Sequence, residues 1–136
     1  MRHWLGVVCR DHVRRGVERG IAQLGHGKRA GLARLAAGDW LVYYSPRTSL
    51  RGGDPLQAFT AIGVITDDEI WQADEGDFQP WRRRVDYLPG VAETPIRSLG
   101  LDLTAQPGWG VQLRRGLVPL GEDDFGRIHA AMRGTR

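Results

Sequence analysis

Apolar positions recur along this chain in two rhythms, every second residue and every third to fourth. His3 to Val8 (HWLGVV) is a short apolar run that reads as a strand. Asp11 then stands where a helix cap is expected, and Val13, Val17 and Ile21 follow at helical spacing. Glycines 16, 20, 25 and 27 weaken and end that helix. Gln23 to Lys28 (QLGHGK) is a loop, and Ala30 to Ala37, with Leu32 and Leu35, gives one or two helical turns. Trp40 to Tyr44 is rich in aromatic and β-branched residues and predicts a strand that stops at Ser45-Pro46-Arg47, where proline interrupts the ladder. A second strand, Ala58 to Ile65, follows the Gly-Gly-Asp-Pro turn.

The rest of the pattern is more polar. Residues 67–77 hold six carboxylates and predict an exposed connection, with an irregular strand near 70–72. Trp81 to Leu88 alternates cleanly, with Trp81, Arg83, Val85 and Tyr87 on one side. Residues 94–103 are turn-rich, with a helical turn after Pro95, and Trp109 to Leu113 predicts a further strand. Gly121 to Arg133 is the clearest helix: Glu122, Asp123 and Asp124 sit at its positive end, and Phe125, Ile128 and Met132 share a face. Without regular strand–helix alternation, a parallel doubly wound sheet is excluded. The expected class is α+β, a small mixed barrel of five to six strands flanked by short helices.

Length, charge and cysteine usage narrow the picture further. The 136 residues suit one domain, which can bury a core without metal or disulfide. The lone cysteine, Cys9, excludes an internal disulfide and a cysteine-based zinc cluster. The net charge is only +3, yet eighteen of the nineteen basic residues are arginine. Arginine offers a planar fork for phosphates and stacks on rings, although such usage also follows from genome-wide composition. No apolar run approaches the roughly 20 residues of a membrane span, and the N-terminus shows no secretory pattern. The expectation is a cytoplasmic monomer without membrane association.

Most catalytic patterns are missing. Gly25-His26-Gly27-Lys28 resembles part of a phosphate loop, but Ala22 and Arg29 stand where glycine and Ser or Thr are needed. His3, His12, His26 and His129 have no metal-ligand spacing, and no nucleophile elbow surrounds Ser45, Ser49 or Ser98. No catalytic residue, metal or cofactor is assigned. What remains is a set of ring-bearing residues on or beside strands (Trp4, Tyr43, Tyr44, Trp81, Trp109), with Gln23, His26, Lys28, Ser45 and the arginines 82–84 as polar neighbours. Each aromatic taken singly is a core residue as readily as a ligand contact. Together they have the composition of a base-binding pocket, in which rings stack on the base and fixed polar groups read its edge. Arg83 points inward beside Trp81, which leaves a buried ion pair and a ligand-facing arginine equally open.

The blocks HWLGVV, QLGHGK, GDWLVYYSPRT, PLQAFTAIG, FQPWRRRVDY, WGVQLRRG and DFGRIHAAM, in this order over nearly the whole chain, resemble EVE-domain proteins of the PUA-like superfamily. The resemblance implies a single EVE domain over residues 1–136, folded as a PUA-like mixed β-pseudobarrel. It implies a deep pocket for one nucleobase and a non-enzymatic role. The expected function is a reader that takes a flipped, modified base such as 5-methylcytosine. Carried over by position, the ligand-binding residues are Trp4, Gln23, His26, Lys28, Tyr44, Ser45 and Pro46, with Phe59, Ile62 and Gly63 as the floor and Trp81, Arg82 and Arg83 beside them. Expected partners are DNA with modified bases or RNA, such as a modified transfer RNA. A nucleoside or small-molecule hydrolase using His26 is the reading from another class.

Overall fold

The computed structural model describes residues 1–134. Its strands are β1 (His3–Val7), β2 (Ile21–Ala22), β3 (Trp40–Arg47), β4 (Pro55–Ile65), β5 (Trp71–Gln72), β6 (Trp81–Tyr87), β7 (Thr94–Pro95) and β8 (Leu117–Leu120). The helices are α1 (Arg10–Arg19), α2 (Arg29–Ala33), α3 (Asp102–Ala105), α4 (Trp109–Gln112) and α5 (Glu122–Met132), with 3-10 turns at Gly25–Gly27, Ile96–Ser98 and Leu113–Arg115. Six strands form one curled, half-barrel sheet in the order β2-β6-β4-β3-β1-β8, with β5 on β6 and β7 on β4. The β1–β3 pair is parallel and the others are antiparallel, so the α+β class and the mixed PUA-like sheet are as expected.

Both faces of this sheet are covered. Trp4, Leu41, Tyr43 and Ile65 pack on one side against Val13 of α1 and Leu32 of α2. Leu5, Val42, Tyr44, Phe59 and Ile62 pack on the other against Phe125, Ile128 and Met132 of α5. The two-residue period of β1 and β3 assigns neighbours to opposite clusters. On β4 the period breaks: Tyr44 pairs with Phe59 but Tyr43 with Ala61, so Thr60 is an extra residue. That bulge is why Phe59 and Ile62, three apart, reach the same side. A second irregularity lies between Ser45–Ala58 and Arg47–Pro55, and there Gln57 takes a left-handed φ of 52°.

Several elements depart from the sequence reading. Helix α1 starts at Arg10 after Cys9, so Asp11 lies in the first turn and accepts from the Ser49 hydroxyl instead of capping. Ile21 leaves the helix for β2, because Gly20 closes α1 in the left-handed conformation at φ 67°. Pro46 does not end β3, which runs through it to Arg47. Trp109 to Leu113 is not a strand: α4 and a 3-10 turn occupy it, and the strand is the following β8. Trp109 and Leu113 are four apart, a spacing that serves a helix face as well as a strand. β8 contains Pro119 and lies at the sheet edge, where a missing N–H is tolerated. Among the described residues, no helix is long and apolar enough to cross a membrane.

Candidate functional site

The chain leaving the parallel strand β1 stays tied to β3 for one residue more before helix α1 begins. The Val8 N–H donates to the Tyr44 carbonyl at 3.1 Å, and the Ser45 hydroxyl donates to the Val8 carbonyl at 2.7 Å. Ser45 is fully buried and also lies 2.8 Å from the hydroxyl of Thr60, the bulge residue. These bonds fix the β1–α1 connection above β3, and a cleft opens beside it. It has two lobes of about 300 and 520 Å³ that share Val8, His12, Gln23 and Phe78. Tyr43 closes the smaller lobe, and His26, Pro46 and Leu113 line the larger.

One wall depends on unusual backbone. His26 has φ 60°, one of two non-glycine residues in the left-handed region among those described. Gly27 follows at φ 84°, and a Cβ there would lie 2.7 Å from Pro80 and 2.9 Å from Phe78. The close approach of this turn to Phe78 therefore requires glycine. Non-glycine residues held in this region are uncommon and gather at functional sites.

The polar groups of the cleft are ordered by arginine. Arg82 Nε donates to Gln23 Oε1 at 3.0 Å and its Nη2 donates to Glu75 Oε2 at 2.7 Å. Arg19 reaches the same carboxylate at 3.3 Å. The hydrogen bond from Arg82, and then that from Arg19, holds the Glu75 carboxyl below its usual range despite some desolvation. Because Gln23 accepts through its oxygen, its NH₂ group is left to donate. Burial pushes the Tyr43 phenol up to about 12, with the nearby Tyr87 hydroxyl and Gln23 backbone offsetting only part of the rise. Tyr43 is therefore a neutral surface, its ring stacked 6.4 Å from that of Tyr87. Burial, reinforced by Arg15, lowers the His12 pKa, which keeps its imidazole neutral near pH 7. Arg47, Arg114 and Arg115 stand at the larger lobe, all exposed or half-buried. Among the described residues they make no ion pair, and Arg47 donates to the Gly53 carbonyl.

Of the residues selected from sequence, Gln23, His26, Pro46 and Arg82 come together at the cleft. Tyr44 faces the other side of β3, where it meets the Phe59 ring edge-on at 5.9 Å and lines a neighbouring recess with Pro46. Trp4 is buried and donates its indole N–H to Asp39 at 3.0 Å. Phe59 and Ile62 are fully buried core, and Gly63 lets β6 approach: a Cβ there would lie 2.7 Å from the Asp86 carbonyl. Lys28 is exposed and off the cleft, and Trp81 lies under the Arg29 guanidinium at 5.6 Å. Arg83 is 1% exposed and donates to the carbonyls of Leu32, at 3.0 Å, Leu35 and Asp67. It points into protein, with Asp68 at 3.7 Å as its one carboxylate within ion-pair reach among the described residues.

The five rings expected to converge are dispersed over separate parts of the fold. Of the five, Tyr43 alone borders the cleft, whose other planar groups are Phe78, His12 and His26. His12, Phe78, Arg114 and Arg115 are not among the residues that sequence reasoning selects. The exposed Phe78, set in an acidic connection with nothing apolar to bury it, is the one local signal among them. Among the described residues, no group of three or more His, Cys, Asp or Glu could hold a metal ion.

A mixed, curled sheet of this order, with short helices on both faces, is a PUA-like fold. The EVE domain family model matches residues 2–131, and the chain belongs to that family. A UPF0310 protein of Renibacterium salmoninarum is 50% identical over 97% of this chain and 96% of its own length. A UPF0310 protein of Mycolicibacterium gilvum is 48% identical over the same shares of the two chains. The solved structure of a protein from Rhodopseudomonas palustris superposes with a TM-score of 0.56 at 16% identity, covering 100% of this chain and 96% of that one, a likeness of fold alone.

Proposed function

We propose that this cleft takes one flipped nucleobase, modified as in 5-methylcytosine, from a nucleic-acid strand. On this reading the chain acts as one EVE unit, monomeric, and binds without catalysing a reaction. The observation that carries the proposal is the coupling of Gln23 and Arg82 beside a rim of arginines that make no ion pair among the described residues. The Gln23 amide, oriented by Arg82, presents N–H donors to a carbonyl or ring nitrogen of the base. Phe78 and the imidazoles of His12 and His26 supply planar surfaces, and Val8 an apolar one for a methyl group. Arg47, Arg114 and Arg115 hold phosphates without reading sequence. The lobe volumes fall in the range of roughly 300–1,000 Å³ usual for small-ligand sites.

Of the selected residues, Gln23, His26, Pro46 and Arg82 act in ligand contact on this reading, while Trp4, Ser45, Phe59, Ile62 and Gly63 shape the scaffold. The test compares oligonucleotides with one 5-methylcytosine, the same DNA unmodified, and structured RNA, at one fixed salt concentration. Preference for the modified DNA, lost in Gln23→Ala but retained in Arg115→Gln, is the expected result. Tighter binding of RNA assigns the cleft to the other polymer, and turnover of free nucleosides that stops in His26→Ala replaces the reading with a hydrolase.

A further inference from the structure

Behind the cleft, on the α5 side of β3, lies a second recess of about 500 Å³. Tyr44, Pro46, Gln57, Arg97, Trp109 and Arg114 form much of it. The two spaces are neighbours, because Val7, Pro46, Leu113 and Arg114 line both the larger lobe and this recess. Three features distinguish it from an ordinary gap in packing. Trp109 is only half-buried, on a short helix between Gly108 and Gly110, although a tryptophan has much apolar area to hide. The Arg97 guanidinium lies 5.4 Å from its ring centroid and donates through Nε to Gln57 Oε1 at 3.2 Å. Gln57 holds φ 52°, so the two non-glycine left-handed residues among those described, His26 and Gln57, each stand in the wall of one space.

We propose that this recess is a second subsite, which takes the nucleotide next to the base held in the cleft. The neighbouring base stacks on Trp109, and Arg114, common to both walls, holds the phosphate that links the two nucleosides. The inference rests on the nucleobase reading of the cleft and sharpens it: the preferred ligand is at least two nucleotides long and single-stranded or unstacked at that step. Burial raises the pKa of the Tyr44 phenol and Arg97 offsets part of that rise, so Tyr44 closes the inner side as a neutral ring. Stacking on an aromatic ring is tolerant of sequence, so this subsite adds affinity without adding base selectivity.

The experiment uses two probes, 5-methyl-2′-deoxycytidine and a dinucleotide joining it to 2-aminopurine, against the full chain. The 2-aminopurine fluorescence is expected to be quenched on binding, as its base stacks on Trp109. Trp109→Ala should weaken the dinucleotide by about five-fold or more, abolish the quench and leave the nucleoside affinity unchanged. The quench needs no variant, and Trp109→Phe should retain it if the alanine change disturbs folding. Nucleoside binding by the wild type with no quench, or an alanine variant that binds the dinucleotide as well as the wild type does, overturns the second subsite alone. If neither probe binds the wild type, the nucleobase reading of the cleft fails and the subsite with it.

Discussion

Two arginine runs of this molecule have opposite fates. Arg82, Arg83 and Arg84 on β6 are all committed within the fold: Arg82 to Gln23 and Glu75, Arg83 to three backbone carbonyls, Arg84 to Asp67 and Glu69. Arg114 and Arg115, on the 3-10 turn before β8, stand exposed at the cleft without an ion pair among the described residues. In the run that is more conspicuous in sequence every guanidinium is engaged by groups of the fold itself. The shorter pair keeps its charge free of the fold and suits a polyanion. The number of basic residues in a run therefore says little about how many of their charges the fold leaves unpaired.

The comparison breaks most readily at Arg83. Arg83→Met removes the guanidinium donor shared by the carbonyls of Leu32, Leu35 and Asp67 and should cost about 3 kcal/mol or more in urea unfolding. An unchanged unfolding midpoint would show that the run is not structural. Asp39 is the acidic counterpart of Arg83, buried and accepting from the Arg2 N–H at 2.9 Å, the Ala36 N–H at 2.9 Å and the Trp4 indole at 3.0 Å. Burial alone would raise its pKa, but the bonds from Ala36, Arg2 and Trp4 outweigh it and hold the carboxyl below its usual value. Asp39→Ala should cost about 2 kcal/mol. A depressed folded pKa gives stability that is complete above the unfolded value of roughly 3.9 and is lost as pH falls through the folded one. The variant should accordingly lose part of the acid limb of the stability profile below about pH 4, as chemical denaturation at successive pH values would reveal.

On the other side of the comparison, Arg114→Gln with Arg115→Gln should leave stability within about 0.5 kcal/mol of the wild type. The pair should instead lower the slope of log affinity against log salt by roughly one for each phosphate no longer neutralised. A double variant that unfolds early but keeps its salt slope would reverse the assignment. The smallest effect belongs to Arg84→Gln. Its pairs with Asp67 and Glu69 are exposed, so both unfolding midpoint and oligonucleotide affinity should scarcely move.

The elements legible in sequence are those whose side chains repeat with one period. β3, β4, β6 and α5 announce themselves because one buried face or a fully covered strand writes a continuous apolar pattern. Trp109–Leu113 reads as a strand because its apolar residues stand at alternate positions, whereas Trp109 and Leu113, four apart, also share a helix face, and Pro119 masks the real strand. The cleft is half legible. Gln23 and His26 follow from the resemblance to EVE domains, but alternation alone cannot tell which of Tyr43 and Tyr44 faces a cleft. His12, Phe78 and Arg114 meet only because α1, the connection before β6 and the turn before β8 converge at the end of β1, and no local spacing encodes that.

The sheet finishes at one side in the two residues of β2 and at the other in a four-residue strand interrupted by Pro119. Neither rim presents a run of free amides long enough for another polypeptide to zip onto. Crowded copies consequently lack a template for cross-strand polymerisation.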